Sequence, residues 1–278
     1  MIIGGNYTQT ANGTLELSLG GNKDLLEMKG AVKPNGKLRL KFSNNYVPEG
    51  GAITIITHGK DQRAGEFSSV ETVGLPSQYK ARVTYHSDHV ELTVEKRKFS
   101  DITDSSSWAA KAIDALASAG ILQGTSDGTF SPSMNISRAD LVVLLVRALN
   151  LKAEYASNFN DVNPSDYYYE SLGIAKQLGL ANGVEGDTFE PSKDITREDL
   201  MLLCARALKL TGSGVQGTAA DLSQFPDSSE ISSYAAEGIA SLVKQGIVEG
   251  KEKGIDPHGK ATRAETATMI YRIIHLKK

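Results

Sequence analysis

The sequence predicts an α+β chain of two unlike parts, an all-β segment over residues 1–98 and a helical segment over residues 99–278. Two observations predict it. Up to Lys98 apolar residues recur with the period of a strand, and from Phe99 onward with the period of a helix. The helical part also writes one phrase three times, as ISRAD at 136–140, ITRED at 195–199 and ATRAE at 261–265.

In the first part, alternation runs through TLELSLGG (14–21), KLRLKFS (37–43) and HVELTVEK (89–96). Each is the pattern of a strand with one buried face. Gly and Pro separate these runs, as GG at 20–21, KPNG at 33–36, PEGG at 48–51 and LPS at 75–77. AITIITH (52–58) is nearly continuous in apolar and β-branched residues, so a strand covered on both faces is expected there. His86 and His89, three apart on a strand edge, are expected to point opposite ways.

In the second part, AAKAIDALASAGI (109–121) sets Ala112, Ile113, Leu116, Ala119 and Gly120 along one helical face. RADLVVLLVRALNL (138–151) follows, with Ser137 as its N-cap and Asp140 three residues on. This is a capping box with a shorter acid than the usual Glu or Gln. The boundary between the parts falls in the charged stretch EKRKFSD (95–101).

Laid over itself, the helical part gives three aligned copies. They read FSD (99–101), Trp108, GILQG (120–124) and DGTFSP (127–132); FND (159–161), Tyr167, GLANG (179–183) and GDTFEP (186–191); FPD (225–227), Tyr234, GIVEG (246–250) and GIDP (254–257). The aromatic precedes an Ile or Leu by five residues in every copy, that residue precedes the first Gly by seven, and the second Gly follows by four. From the second Gly to the Arg the spacing is fourteen, fourteen and thirteen. Recurrence at a fixed period is the mark of a repeat architecture, here with boundaries at 99–152, 153–212 and 213–278. The stretches LVVLLVRAL, LMLLCARAL and TATMIYRII supply one apolar helix per copy, and three such helices can pack about a common axis.

These motifs resemble the S-layer homology domain, over about two thirds of the chain. The resemblance implies an all-α, pseudo-threefold trimer of repeats with a central three-helix bundle. It also implies non-covalent anchoring of an exported protein to the bacterial cell wall, through secondary cell-wall polysaccharide carrying pyruvylated N-acetylmannosamine. The order of GxYxQ (5–9), LLEMKGAVKPNGKLRLKF (25–42), PEGGAITIITHG (48–59) and AGEF (64–67) resembles the terminal rungs and cap of the parallel β-helices of bacterial surface proteins. A small β-sandwich is the competing fold. On the β-helix reading the sequence is expected to be a fragment of a longer extracellular protein, separated from its export signal.

The candidate ligand-binding residues follow from the aligned positions. Arg138, Arg197 and Arg263 each follow a helix cap, where unpaired N–H groups and a guanidinium fork make a socket for a carboxylate. On that reading, replacing Arg138 and Arg197 by Ala abolishes wall binding and leaves the fold intact. The alternative is a structural pair with the FxD aspartate of a neighbouring copy. Trp108, Tyr167 and Tyr234 can stack on a sugar face or pack in the core. Asp101, Asp161 and Asp227 can bond sugar hydroxyls, orient the Arg or cap turns. Gly124, Gly183 and Gly250 admit close backbone approach or a positive φ. Glu198, in place of the usual Ala, is expected to repel an anionic ligand. Repeat three departs most, with Ala261 for Ile and GIDP for DGTFxP.

Composition narrows the classes. The chain has 278 residues, 40% of them hydrophobic and 23% charged, and a net charge of −3, which disfavours nucleic acid as the main partner. The single cysteine, Cys204, sits in an apolar run and reads as an inert buried thiol. No stretch nears the roughly 18 apolar residues of a membrane span, and the start MIIGGNYTQT lacks the form of a signal peptide. No nucleophile elbow, phosphate loop or zinc spacing occurs, so no catalysis, metal or cofactor is expected. The alternatives are a self-assembling module that contacts neighbouring S-layer subunits, and the anchor fragment of a surface carbohydrate-active enzyme.

Overall fold

The computed structural model describes residues 1–20, 26–44, 46–48, 51–76, 78–251 and 254–276. Of the residues named above, Gly21, Leu25, Glu49, Gly50 and Ser77 lie outside these ranges. The protein is mixed α+β, strands first and helices second, in two compact units, Met1–Thr103 and Asp104–Lys278.

The first unit contains β1 (Ile2–Ile3), β2 (Tyr7–Thr8), β3 (Thr14–Leu19), β4 (Leu26–Met28), β5 (Val32–Lys33), β6 (Lys37–Phe42), β7 (Ala52–His58), β8 (Ser69–Val73), β9 (Tyr79–Tyr85) and β10 (His89–Lys96). Pairing is parallel along β1–β4–β7, β2–β5 and β3–β6–β8, so each pass of the chain lays its strands beside those of the pass before. A bridge from Val32 to Arg63 carries the middle ladder into the third pass. These parallel ladders exclude a sandwich built from antiparallel hairpins. The alternating strands bury Leu17, Leu19, Leu38, Leu40 and Phe42 in one core, while Arg39 faces outward between Glu16 and Glu71 at 3.6 and 3.4 Å. At the corner between strands the Gln9 amide donates to the carbonyls of Gly13 and Lys37, each at 3.1 Å. The hairpin β9–β10 then adds to β7 in antiparallel fashion.

Two expectations for this unit are corrected. β7 is not covered on both faces along its length, since Ala52 and Thr54 are exposed. Ile55 and Ile56 are buried in succession because the β7–β10 register slips at Val90/Glu91; a β-bulge turns one extra residue inward. His86 and His89 do not diverge either. They lie opposite one another across a tight turn, with His86 N–H donating to the His89 carbonyl at 2.8 Å and their rings stacked 4.2 Å apart.

The second unit contains α1 (Ser107–Ser118), α2 (Arg138–Ala148), α3 (Tyr169–Gln177), α4 (Arg197–Leu210), α5 (Ala219–Leu222), α6 (Ser233–Lys244) and α7 (Arg263–Ile274). α1 buries Ala112, Ile113 and Leu116 as expected, together with Ala109, Ala110 and Ala117, whereas Ala119 is exposed at its C-terminus. The first Gly of each motif ends the preceding helix in the left-handed conformation, with φ of 70°, 68° and 70° at Gly120, Gly179 and Gly246. Cys204 is fully buried, and burial pushes its thiol pKa up.

Contacts between repeats are cyclic. α2, α4 and α7 each touch the other two, while α3 packs on α2, α6 on α4 and α1 on α7. The helix-start phrases close a ring of backbone hydrogen bonds, Ile136 N–H to Ala261 O (3.0 Å), Ala261 N–H to Ile195 O (3.0 Å) and Ile195 N–H to Ile136 O (3.1 Å). All three side chains are buried.

Candidate polysaccharide-binding grooves

The repeated phrase works first as an interlock. Arg138 Nε donates to the Phe189 carbonyl of repeat two at 2.9 Å, Arg197 Nε to the Ile255 carbonyl of repeat three at 2.8 Å, and Arg263 Nε to the Phe130 carbonyl of repeat one at 2.9 Å. Each Arg thus threads into the loop of the next repeat, and the third returns to the first. Arg138 and Arg263 also stack over the rings of Phe189 and Phe130, at 4.7 and 4.6 Å. Ile255 replaces the aromatic in repeat three, yet the following residue keeps the shared backbone form, with φ of 59°, 57° and 56° at Ser131, Glu190 and Asp256. The shortened loop of repeat three still receives its arginine.

This geometry corrects the expected anion socket. The first two N–H groups of α2 bond Lys193 O and Pro191 O, those of α4 Gly259 O and Pro257 O, and those of α7 Met134 O and Pro132 O. The third N–H is held by Ser137, Thr196 or Thr262. These three N–H groups of each helix are thus engaged within the protein, and Arg138 and Arg197 are buried while Arg263 is half-buried. Two of the arginines bridge to the acid that closes the repeated phrase of the next copy. Arg138 meets Asp199 at 3.3 Å and Arg197 meets Glu265 at 2.9 Å. Burial works against ionisation of Glu265, but the Thr262 N–H, Arg197 and Lys251 outweigh it and hold its pKa below 4.5.

The FxD aspartates of repeats two and three brace the same loops. Asp161 accepts from Phe189 N–H at 2.8 Å and Glu190 N–H at 2.7 Å, and Asp227 from Ile255 N–H at 2.9 Å and Asp256 N–H at 2.6 Å. Asp101 lies two residues before the end of the first unit, where its carbonyl accepts from Thr103 N–H at 3.1 Å. A Cβ at Gly183 would lie 2.9 Å from Thr188 O and 3.3 Å from the Phe159 ring, and one at Gly250 would lie 2.6 Å from the Phe225 ring. Close packing of the FxD phenylalanine therefore requires both glycines, and Gly250 adds a φ of 79°.

The aligned aromatics are not core residues. Trp108, Tyr167 and Tyr234 are 56%, 67% and 58% exposed. Tyr167 borders a cleft of about 340 Å³ together with Gly124, Asp140, Arg147 and Arg263. Trp108 borders one of about 430 Å³ with Arg197, Gly250, Glu265 and Arg272. Each cleft takes its Gly from one repeat, its aromatic from the next and its interlocking Arg from the one after. In the third position, Tyr234 Oη lies 3.0 Å from Asp199, the acid bound to Arg138, while Gly183 belongs to the intervening repeat. Tyr167 Oη donates to Asp140 at 2.7 Å. Burial, and then this bond, raise the Tyr167 phenol, as burial and Asp199 raise that of Tyr234.

Glu198 does not stand in a groove as a repelling charge. It is buried, and it accepts from the Ser232 N–H and hydroxyl, each at 3.0 Å, where α6 begins. A second arginine in each repeat went unremarked in the sequence. Arg147, Arg206 and Arg272 stand nine residues after the first arginine in every copy, and each lines a cleft that also holds an exposed aromatic. Arg147 is exposed at its cleft.

The fold and the clefts define a repeat module whose three copies interlock in a cycle and present aromatic, acidic and cationic groups at their junctions. The S-layer homology domain matches residues 98–142, 158–201 and 224–267, and the chain carries three tandem copies of that domain. The chain is similar to the Surface-layer 125 kDa protein of Lysinibacillus sphaericus, 31% identical over 64% of this chain and 15% of that protein. It is also similar to an amylopullulanase of Thermoanaerobacterium thermosulfurigenes, 34% identical over 69% of this chain and 10% of that protein. The Exoglucanase XynX of Acetivibrio thermocellus is 34% identical over 63% of this chain and 16% of its own length. The chain thus spans less than a fifth of each. The domains are a non-catalytic anchoring module, and they point to a cell-surface or cell-wall location. No helix among the described residues is long and apolar enough to cross a membrane.

Proposed function

We propose that the helical part, with repeats at 99–152, 153–212 and 213–278 arranged as a pseudo-threefold trimer around α2, α4 and α7, anchors an exported protein to the wall by binding secondary cell-wall polysaccharide between repeats. The observation that carries this reading is the exposure of Trp108, Tyr167 and Tyr234, each beside a carboxylate or an arginine at a junction. An exposed aromatic face stacks on sugar C–H groups, and the acids and main-chain groups beside it accept from hydroxyls. For pyruvylated N-acetylmannosamine, Arg147 is the solvent-facing cation of the Tyr167 cleft, while Arg138, Arg197 and Arg263 shape the clefts from behind. Simultaneous occupancy of several clefts by one polymer raises avidity without new contacts. The parallel ladders of residues 1–98 and their antiparallel hairpin support reading this unit as the last rungs and cap of a surface β-helix.

Calorimetric titration of the chain with purified wall polymer, native and depyruvylated, tests the reading. Binding of the native polymer that weakens at least tenfold without the ketal supports both the anchor and the anion contact. Equal binding of the two forms removes the anion contact, and binding of neither removes the anchor in favour of self-assembly.

A further inference from the structure

The tight turn between β9 and β10 brings together three groups that the helical module does not use. His86 and His89 face each other across the turn with rings 4.2 Å apart and 10° from parallel. Glu91 lies two residues beyond His89, on the same face of β10. One ligand atom from each of His86, His89 and Glu91 lies within 4.8 Å of the other two. His86 Nε2 is buried and has no hydrogen-bond partner. A buried ring nitrogen in that state is costly unless something binds it. His89 Nδ1 sits 2.6 Å from the Asp88 carboxylate, which directs its other nitrogen, Nε2, away from Asp88. A carboxylate that orients a histidine in this manner is the usual outer partner of a metal-binding imidazole.

We propose that His86, His89 and Glu91 form a binding site for a divalent transition ion of the zinc class, with Asp88 as the positioning residue for His89. Two imidazoles and one carboxylate suit zinc, cobalt and nickel, whereas calcium and magnesium prefer all-oxygen sites. Tetrahedral coordination with bonds of about 2.0–2.1 Å brings ligand atoms to about 3.3 Å from one another. Small side-chain rotations cover the difference from 4.8 Å, and they unstack the two rings. Three protein ligands leave one position for water or an outside donor. Because His86 belongs to one arm of the hairpin and His89 and Glu91 to the other, the ion ties β9 to β10 at their turn, beside the pairing of β10 with β7.

The test uses the whole chain after dialysis against a chelator. Titration with zinc followed by calorimetry, and with cobalt followed by its visible absorption, is expected to show one equivalent in a tetrahedral environment. Replacing His86→Ala is expected to weaken that equivalent by at least about 100-fold and Asp88→Asn by about tenfold. Histidine ring nitrogen resonances of the unsubstituted chain locate the ion without relying on any variant. Zinc-dependent shifts at His86 and His89 support the site. Shifts confined to His58, His258 or His275, unchanged zinc affinity in both variants, or no binding overturn it.

Discussion

At the scale of single residues, the arginine of the repeated phrase is a structural fork before it is anything else. Arg197 is 6% exposed. It holds the Ile255 carbonyl with Nε and Glu265 with Nη1. Its replacement by Ala leaves a buried carbonyl and a largely buried carboxylate short of a partner, and breaking such a pair costs about 3 kcal/mol. Chemical denaturation of Arg197→Ala is therefore expected to show a stability loss of about that size, and Arg197→Lys recovers only part of it because an ammonium cannot serve both acceptors in one plane. A melting profile unchanged from the parent would contradict the interlock and restore the ligand-facing arginine. The sequence spacing singles out this arginine as a position shared by the three copies. It cannot reveal which way the fork turns, because the deciding partner is a main-chain carbonyl some 58 residues away. Glu198 misleads for the same reason, its true partner being the start of α6.

At the scale of elements, the helix starts are where local sequence and tertiary contact meet. Thr262 and Glu265 form a complete capping box, whereas Ser137 binds Asp140 N–H at 3.0 Å and donates its own hydroxyl to the Asp140 carboxylate at 2.8 Å. The shorter acid is released for a different partner, Tyr167. Ser137→Ala is expected to lower stability by about 1 kcal/mol, the usual cost of a lost N-cap, with Ser137→Thr close to neutral; equal unfolding midpoints for Ala and the parent would show the cap to be redundant. Strands, helices and their caps were legible because period and capping chemistry are local. The bulge at Ile55 was not, since an extra residue in β7 shows only against the register of β10. The meeting of His86 and His89 was missed similarly: a spacing of three separates side chains along a continuous strand but unites them across a two-residue turn.

At the scale of the whole helical unit, cyclic closure distinguishes this molecule from a linear repeat array. In an open array each repeat contacts only its neighbours and the ends are free; here α1 returns to α7 and Arg263 returns to Phe130. The electrostatics of closure are concentrated between repeats two and three. Glu265 and Asp227 both have pKa values held below their ordinary 4.5 and 3.8, against the opposing effect of burial. In Glu265 the Thr262 N–H, Arg197 and Lys251 overcome that effect. In Asp227 the Ile255 and Asp256 N–H groups do so, and they belong to the loop whose carbonyl receives Arg197. Because these carboxyls bind protons more weakly in the folded chain than in the unfolded one, their stabilisation is present in full above pH 4.5 and is lost as pH falls through the folded values. The melting temperature of the helical unit is thus expected to stay level near neutrality and to fall below about pH 4.5. Glu265→Gln should be less stable at pH 7 and lose less on acidification, since its amide neither ionises nor attracts Arg197. Parallel pH profiles for the variant and the parent would place the acid sensitivity outside this junction.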